Sequence, residues 1–322
     1  MGKKAPVDQT STEAPEVLCY GEPLVALYPD GNGADRLRIT WGGDSSNTAL
    51  ALAKFGRRSA YLTAVSTDRF GASFLELWRS AGVDIRLVQQ SETHNTGLYV
   101  ASFDAGRHHL TYYRRNSAAA RIEASVVNWD IVREAQLIHL SGISQAISAD
   151  ALELSFALMR FAHEHGILVS YDVNYRPPLW SLDRAKATIQ YTAGEFADIL
   201  FVTDEEMHML GWGTEPSTLS ARFARPPEYI AVKLGPGGCA VYHGSESARA
   251  APPAVQVQDT VGAGDAFDAA FIDGVLAGRS LQDIVVFANA VAAHTCRGTG
   301  PLDMQPTRAE AENLIHSEGS RP

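Results

Sequence analysis

The chain has 322 residues, 45% hydrophobic and 20% charged, with a formal net charge of −10. That balance excludes a disordered chain and permits a large core without covalent staples. It disfavours a general nucleic-acid binder, which needs a positive field to meet phosphate, although a few pocket arginines can hold a small anion against the global sign.

Residues 1–15 have two lysines but no apolar segment after them, so they read as a disordered tail and not a secretory leader. No apolar run approaches the ~18 residues of a membrane span. Cys19, Cys239 and Cys296 are far apart and form no metal spacing, as idle thiols in a reducing compartment would. The expected compartment is the cytoplasm, with no membrane partner. VLCYG (17–21) reads as a strand. Asp44, Ser45 and Ser46 offer an N-cap to a helix that ends at Gly56. SAYLTAV (59–65) is the next strand, and Asp68 caps a helix closed by Gly82. Strands follow at 137–142, 167–173, 198–203 and 229–235, separated by helices such as 149–165 and 183–195. The alternation indicates βαβ units in a mostly parallel, doubly covered α/β sheet.

Two stretches, 23–41 and 96–115, break the alternation. Each reads as a hairpin with a polar, glycine-bearing turn, DGNGAD and DAGR. Having no helices, they predict a small antiparallel β platform outside the main sheet, a lid able to exclude water from chemistry below it. Residues 16–322 then form one domain carrying that lid.

The segment richest in chemistry is Asp259-Thr260-Val261-Gly262-Ala263-Gly264-Asp265-Ala266-Phe267. A strand-like VQVQ (255–258) runs into a small-residue turn, and a helical pattern follows. Gly262 and Gly264 let backbone N–H groups turn inward, and the helix N-terminus adds its positive end, which makes an anion hole. Asp265, in the first helical turn, either complements the helix dipole or acts as a general base beside that hole.

DTVGAGDAF resembles the DTxGAGDxF signature of the PfkB (ribokinase-like) sugar kinases. The N-terminal signature of that family is matched by Gly42-Gly43-Asp44-Ser45-Ser46-Asn47, with Ala49, Ala53 and Gly56. The likeness runs from about residue 17 to 315 and implies an α/β domain with a β-sheet lid. Within the family, GEPLVAL (21–27), TGLY (96–99), YYRRNSA (112–118), HLSGIS (139–144) and DVNYRPPLWS (172–181) are most similar to 2-keto-3-deoxygluconate kinases. The resemblance implies that Gly43, Asn47, Tyr99, Tyr112, Arg114, Ile143, Arg176 and Asp265 contact the sugar acid. It further implies Asp265 as the base and the backbone of Val261, Gly262, Ala263 and Gly264 as the anion hole.

The residues agree with an acidic substrate. Tyr112 and Arg114, two apart on a strand, share a face, and Arg176 follows a strand end, where α/β sheets place ligands. Arginine holds a carboxylate bidentately. In ribokinases and fructokinases an aspartate on the first strand grips neutral sugar hydroxyls; here the equivalent position is Ala26. For the nucleotide and metal, the resemblance points to Thr203 and Glu206, where Thr203 replaces the asparagine of an N-x-x-E element. It also points to Lys233, Gly235 and Gly238 in VKLGPGG, and to Asn289 on the FANAVAAHT helix. ATP and Mg²⁺ are the implied donor and metal; Asp259 is a candidate for a monovalent-cation site. Ser66 replaces a usual glycine before Asp68, which predicts a local backbone adjustment. No Walker A motif is present, and His163-Glu164-His165 is not a zinc motif.

The expectation is thus an ATP-dependent kinase that phosphorylates the 6-hydroxyl of 2-keto-3-deoxygluconate. The alternatives are a fructokinase or other PfkB sugar kinase, or a catalytically silent sugar-binding regulator on the same fold. A homo-oligomer formed through the lid is also expected.

Overall fold

The computed structural model describes residues 13–30, 36–104 and 107–319. Most of the expected tail and the tips of both expected hairpin turns lie outside those residues. Pro15 is already buried, and the Ala14 carbonyl accepts from Arg58 Nε at 2.7 Å.

The chain opens with β1 (Val17–Tyr20), then leaves the main sheet for a hairpin, β2 (Leu24–Pro29) and β3 (Leu37–Gly42). It returns through α1 (Asp44–Lys54), β4 (Ser59–Ser66), α2 (Arg69–Ala81) and β5 (Val88–Ser91). A second excursion follows, β6 (Gly97–Asp104) and β7 (Arg107–Tyr113). The chain then runs through α3 (Trp129–Arg133), β8 (Leu137–Ser141), α4 (Gly142–Ala146), α5 (Ala149–His165), β9 (Leu168–Asp172) and α6 (Leu182–Glu195). Next come β10 (Ile199–Thr203), α7 (Asp204–Leu210), β11 (Tyr229–Lys233), β12 (Cys239–His243) and β13 (Glu246–Ala250). The described chain closes with α8 (Ala263–Leu276), α9 (Leu281–Thr295) and α10 (Arg308–Gly319).

The main sheet has nine strands in the order β13-β12-β11-β10-β9-β8-β1-β4-β5. All neighbours from β11 to β5 are parallel; β12 and β13 fold back as an antiparallel edge. Strand alternation sorts the apolar residues into two cores. Leu18 and Tyr20 join Ile138, Leu140 and α5 on one face, while Val17 and Cys19 join Phe201, α1 and α8 on the other. The three cysteines are free.

The lid is a four-stranded sheet, β3-β2-β6-β7. It corrects the expected all-antiparallel platform: each hairpin is antiparallel, but β2 and β6 join them in parallel. The reason is topological. β2 follows β1 and β6 follows β5; β1 and β5 run the same way in the main sheet, so both excursions leave from the C-terminal ends of parallel strands in the same direction.

Two further expectations are corrected. The α1 N-cap is Gly43, not Asp44, Ser45 or Ser46: Gly43 has φ +112, and no side chain caps the helix. VQVQ is not a strand, because no neighbour pairs with it; the Gln258 amide donates instead to the Cys296 carbonyl at 2.8 Å. Asp68 does cap α2, accepting from the Phe70 and Gly71 amides. Its Oδ1 also accepts from Ser66 Oγ at 2.6 Å, which is how the serine is accommodated.

Candidate active site

The parallel strands end below the lid, and a cavity of about 760 Å³ opens between them. Its floor is the turn into α8. Gly262 has φ +83, and a Cβ there would lie 2.5 Å from Pro301 Cβ, so no other residue fits this turn without movement. Of the four amides expected to face an anion, those of Gly262 and Gly264 donate to no protein acceptor among the described residues. The Val261 amide donates to Asp259 Oδ1 at 3.1 Å and the Ala263 amide to the Thr260 carbonyl at 3.2 Å. Asp259 also accepts from the Gly300 amide at 2.9 Å, which ties this turn to the C-terminal segment.

Asp265 lines the cavity from the first turn of α8. Asn47 Nδ2, from α1, donates to its Oδ2 at 2.7 Å, and Thr48 Oγ1 donates to its carbonyl. Burial first, and the Asp44 carboxylate second, push its carboxyl from 3.8 up to about 7; Asn47 and Lys233 oppose them. A carboxylate poised near neutrality can accept a proton at physiological pH and return it.

One side of the cavity comes from the lid and from the ends of β8 and β9. Gly43 is forced, because a Cβ there would stand 2.3 Å from the Glu22 carbonyl. Tyr99 and Tyr112 are cross-strand partners with ring centroids 5.8 Å apart, and Tyr28 meets Tyr99 edge-on. Ile143, at the start of α4, adds an apolar wall. Arg114 also reaches the cavity, but its guanidinium is already engaged: Nε donates to Glu22 Oε2 at 2.7 Å, and a second nitrogen bonds the same oxygen. Glu22 is 1% exposed and accepts from Ser117 Oγ at 2.5 Å as well. Arg176 is the contrasting case. It is exposed at the cavity mouth, and among the described residues no carboxylate lies within ion-pair distance of it. Ala26 is fully buried on the lid's inner face.

The other side continues into a second, more apolar cavity of about 430 Å³, lined by Phe267, Val255, Asn289 and Ala292 together with Ala263 and Gly264. Gly235 and Gly238 line its entrance; Gly238 has φ +83, and a Cβ there would sit 1.9 Å from the Ala250 carbonyl. Lys233 borders both cavities, with Nζ 3.1 Å from Asp172 Oδ1 and 3.1 Å from Asp268 Oδ1. Burial works against its charge, but Asp172, Asp268 and Glu206 outweigh burial and keep it protonated. Thr203 and Glu206 form a capping box on α7: Thr203 Oγ1 accepts from the Glu206 amide, and Glu206 Oε2 from the Thr203 amide. Glu206 Oε1 accepts from the Tyr175 amide, so both its oxygens hold backbone. Asn289 spends its Nδ2 on Val285, Ala250 and Cys239, tying α9 to the sheet edge.

Every residue expected to meet sugar, nucleotide or Mg²⁺ thus borders one of two adjoining cavities, whereas Asp259, the candidate for a monovalent cation, lines neither. Four acidic residues were missed. Asp44 stood inside a recognised motif but read as a cap; Glu22 sat within GEPLVAL, Asp172 at a strand end and Asp268 one turn beyond Asp265. Only the i, i+3 spacing of Asp265 and Asp268 signalled a shared face.

A carboxyl on a helix N-terminus, free glycine amides beside it and a lid over both form a layout suited to phosphoryl transfer. The profile of the pfkB family carbohydrate kinases matches residues 14–308. This chain belongs to the PfkB family. Its similarity to individual members is broad. It is 30% identical over 314 residues to the 2-dehydro-3-deoxygluconokinase of Bacillus subtilis, covering 94% of this chain and 96% of that one. It is 30% identical over 331 residues to the probable fructokinase-6, chloroplastic, of Arabidopsis thaliana, covering 98% and 86%. Among solved structures, a putative ribokinase II from E. coli in complex with ATP and Mg²⁺ superposes with a TM-score of 0.85 at 22% identity, over 94% of this chain and 99% of that one. As a PfkB carbohydrate kinase, the chain is a sugar phosphotransferase with the ribokinase-like fold.

Proposed function

We propose that this PfkB kinase transfers the γ-phosphoryl group of ATP to the 6-hydroxyl of 2-keto-3-deoxygluconate, giving the 6-phospho product and ADP. The observation that carries the reading is Arg176, which has no carboxylate partner among the described residues and faces the same cavity as Asp265. An acceptor whose reacting hydroxyl meets Asp265 can place its carboxylate at that mouth, where arginine binds it bidentately. Arg114, fixed by Glu22, presents its remaining N–H groups to the same end. The similarity to 2-dehydro-3-deoxygluconokinases supports the reading.

In this reading the acceptor O–H proton passes to Asp265 as the new O–P bond forms and the bond to the ADP oxygen breaks. The Gly262 and Gly264 amides and the α8 N-terminus meet charge on the transferring group, and Lys233 adds a fixed cation. The apolar cavity beside Phe267 and Asn289 takes the base of the nucleotide. The lid holds the acceptor in line and keeps water out. Mg²⁺ supplies neutralisation of the phosphate charge. No group of three His, Cys, Asp or Glu able to hold a metal stands together among the described residues; Glu206, on the wall of the larger cavity, is the side chain that would hold the ion. The reading also includes a second copy of the chain over the lid, whose outer face exposes Leu37 and Ile39 on β3.

A fructokinase is the second reading, favoured by similarity to plant fructokinases and by Asp44, an additional carboxylate able to accept from neutral sugar hydroxyls. A coupled ADP-release assay decides between them. Faster turnover of 2-keto-3-deoxygluconate and its galacto epimer than of fructose or ribose supports the first reading. Turnover of fructose alone replaces it with the second, and silence on all of them points to a regulator.

A further inference from the structure

Asp268 lies one turn beyond Asp265 on α8, is 1% exposed and lines neither of the two cavities. It offers no wall to a ligand, and a buried carboxylate without a partner is costly. Its partner is Lys233, whose Nζ stands 3.1 Å from Asp268 Oδ1 and 3.4 Å from Oδ2. The same Nζ lies 3.1 Å from Asp172 Oδ1, at the end of β9, and 5.5 Å from the centroid of the Phe201 ring on β10. The turn into α8 is equally near, since a Cβ built on Gly264 would lie 3.5 Å from Nζ. Side chains from three elements thus pin the ammonium beside Gly264, one of the two glycines whose amides have no protein acceptor among the described residues.

We propose that Asp268 is a positioning residue for phosphoryl transfer, holding Lys233 Nζ against the turn into α8 so that its charge meets the transferring group. This rests on the phosphoryl transfer proposed above and not on the identity of the acceptor. Lysine carries its charge on a flexible four-carbon stem, so an unclamped ammonium samples many positions. A cation misplaced by about 1 Å can cost ~100-fold in rate. Asp172 meets Nζ through one oxygen, whereas Asp268 meets it through both and ties it to the helix that carries Gly264 and Asp265. Burial and the Asp172 charge disfavour a carboxylate at 268, and Lys233 opposes them. An aspartate that only complemented the dipole of α8 would stand in the first turn, where that field acts; Asp268 stands in the second. A position that needed only filling is served as well by an apolar side chain, because a buried ion pair returns little net stability.

The test is a double-mutant cycle of Asp268→Asn and Lys233→Met, run with Mg-ATP on whichever acceptor the wild type turns over. Asp268→Asn is expected to lower kcat roughly 10- to 100-fold with acceptor KM unchanged, because only the placement of the cation is lost. Its affinity for ADP, measured by calorimetry without acceptor, should stay within about threefold of wild type. Lys233→Met should lose at least as much kcat. Adding Asp268→Asn to it should change kcat by less than about twofold, since Asp268 then has nothing to position. An unchanged kcat in Asp268→Asn overturns the proposal. So do losses that multiply in the combined variant, or an ADP affinity that falls along with kcat; either marks a residue that shapes α8 or the nucleotide cavity by itself. If Asp268→Asn does not fold, Asp268→Ser takes its place in the cycle, and if neither folds, Asp268 is a structural residue and the proposal falls. A wild type that prefers fructose ends the substrate reading and leaves Asp268 to be decided by the cycle on fructose. Silence of the wild type on every acceptor overturns both.

Discussion

Asp265 shows how one buried carboxyl couples activity to stability. Burial and the Asp44 charge raise it from 3.8 to about 7, so the folded chain holds this proton more tightly than the unfolded one. Between those values a rise in pH costs stability, and the loss is complete once pH exceeds the folded value. Asp265→Asn should then unfold at a higher temperature than wild type at pH 8, by on the order of 1 kcal/mol or more. The same variant should lose about 10²- to 10⁴-fold in kcat while still binding the acceptor by calorimetry. Wild-type turnover near that of the variant ends the base assignment. For wild type, kcat/KM should rise with pH along a limb centred near 7, since only the ionised carboxylate takes the proton; a limb near 4 would mean that Asp265 is not the titrating group. Arg176→Ala should raise the KM for a keto-deoxy acid about tenfold or more and leave the KM for ATP alone, because the lost contact is to the carboxylate.

At the scale of elements, the site depends on turns that only glycine can make. Gly262 starts α8 with φ +83 against Pro301. Gly262→Ala should cost about 1–3 kcal/mol in chemical denaturation and lower kcat, because strain there swings the free amides away from the transferring group. A variant with wild-type kcat would show that these amides do not face the reaction. The capping box of Thr203 and Glu206 has a related logic. The family resemblance pointed to both residues as ligand contacts, yet each satisfies backbone at the start of α7. A local motif tells which residues sit at a helix start; whether their polar atoms remain free depends on what packs over them.

At the scale of the whole molecule, two excursions from the same end of the main sheet build the lid. Its inner face carries Leu24, Ala26, Tyr28, Tyr99 and Ala101 as a small core of its own. The outer face leaves Leu37 46% and Ile39 41% exposed, two apart on the same side of β3. If a second copy covers this face, Ile39→Glu should shift the protein to a monomer in light scattering, with the acceptor KM raised as the lid loosens. A wild type that is already monomeric at micromolar concentration removes that proposal.

Much was legible before any coordinates. β-branched runs alternating with amphipathic stretches specify a parallel sheet covered on both faces, because period-2 and period-3.6 patterns bury different faces. The glycines and aspartate of DTVGAGDAF mark a tight turn into a helix with a carboxyl in its first turn, since that geometry is local to one turn. Contacts between distant segments are a different matter. That Arg114 is spent on Glu22, 92 residues away, that Lys233 sits between Asp172 and Asp268, and that Asp44 lines the cavity instead of capping its helix were decided by the tertiary structure alone. A charge pattern along a chain does not say which charges meet, and the parallel joint between β2 and β6 was hidden for the same reason: strand direction is set by where the chain leaves the main sheet.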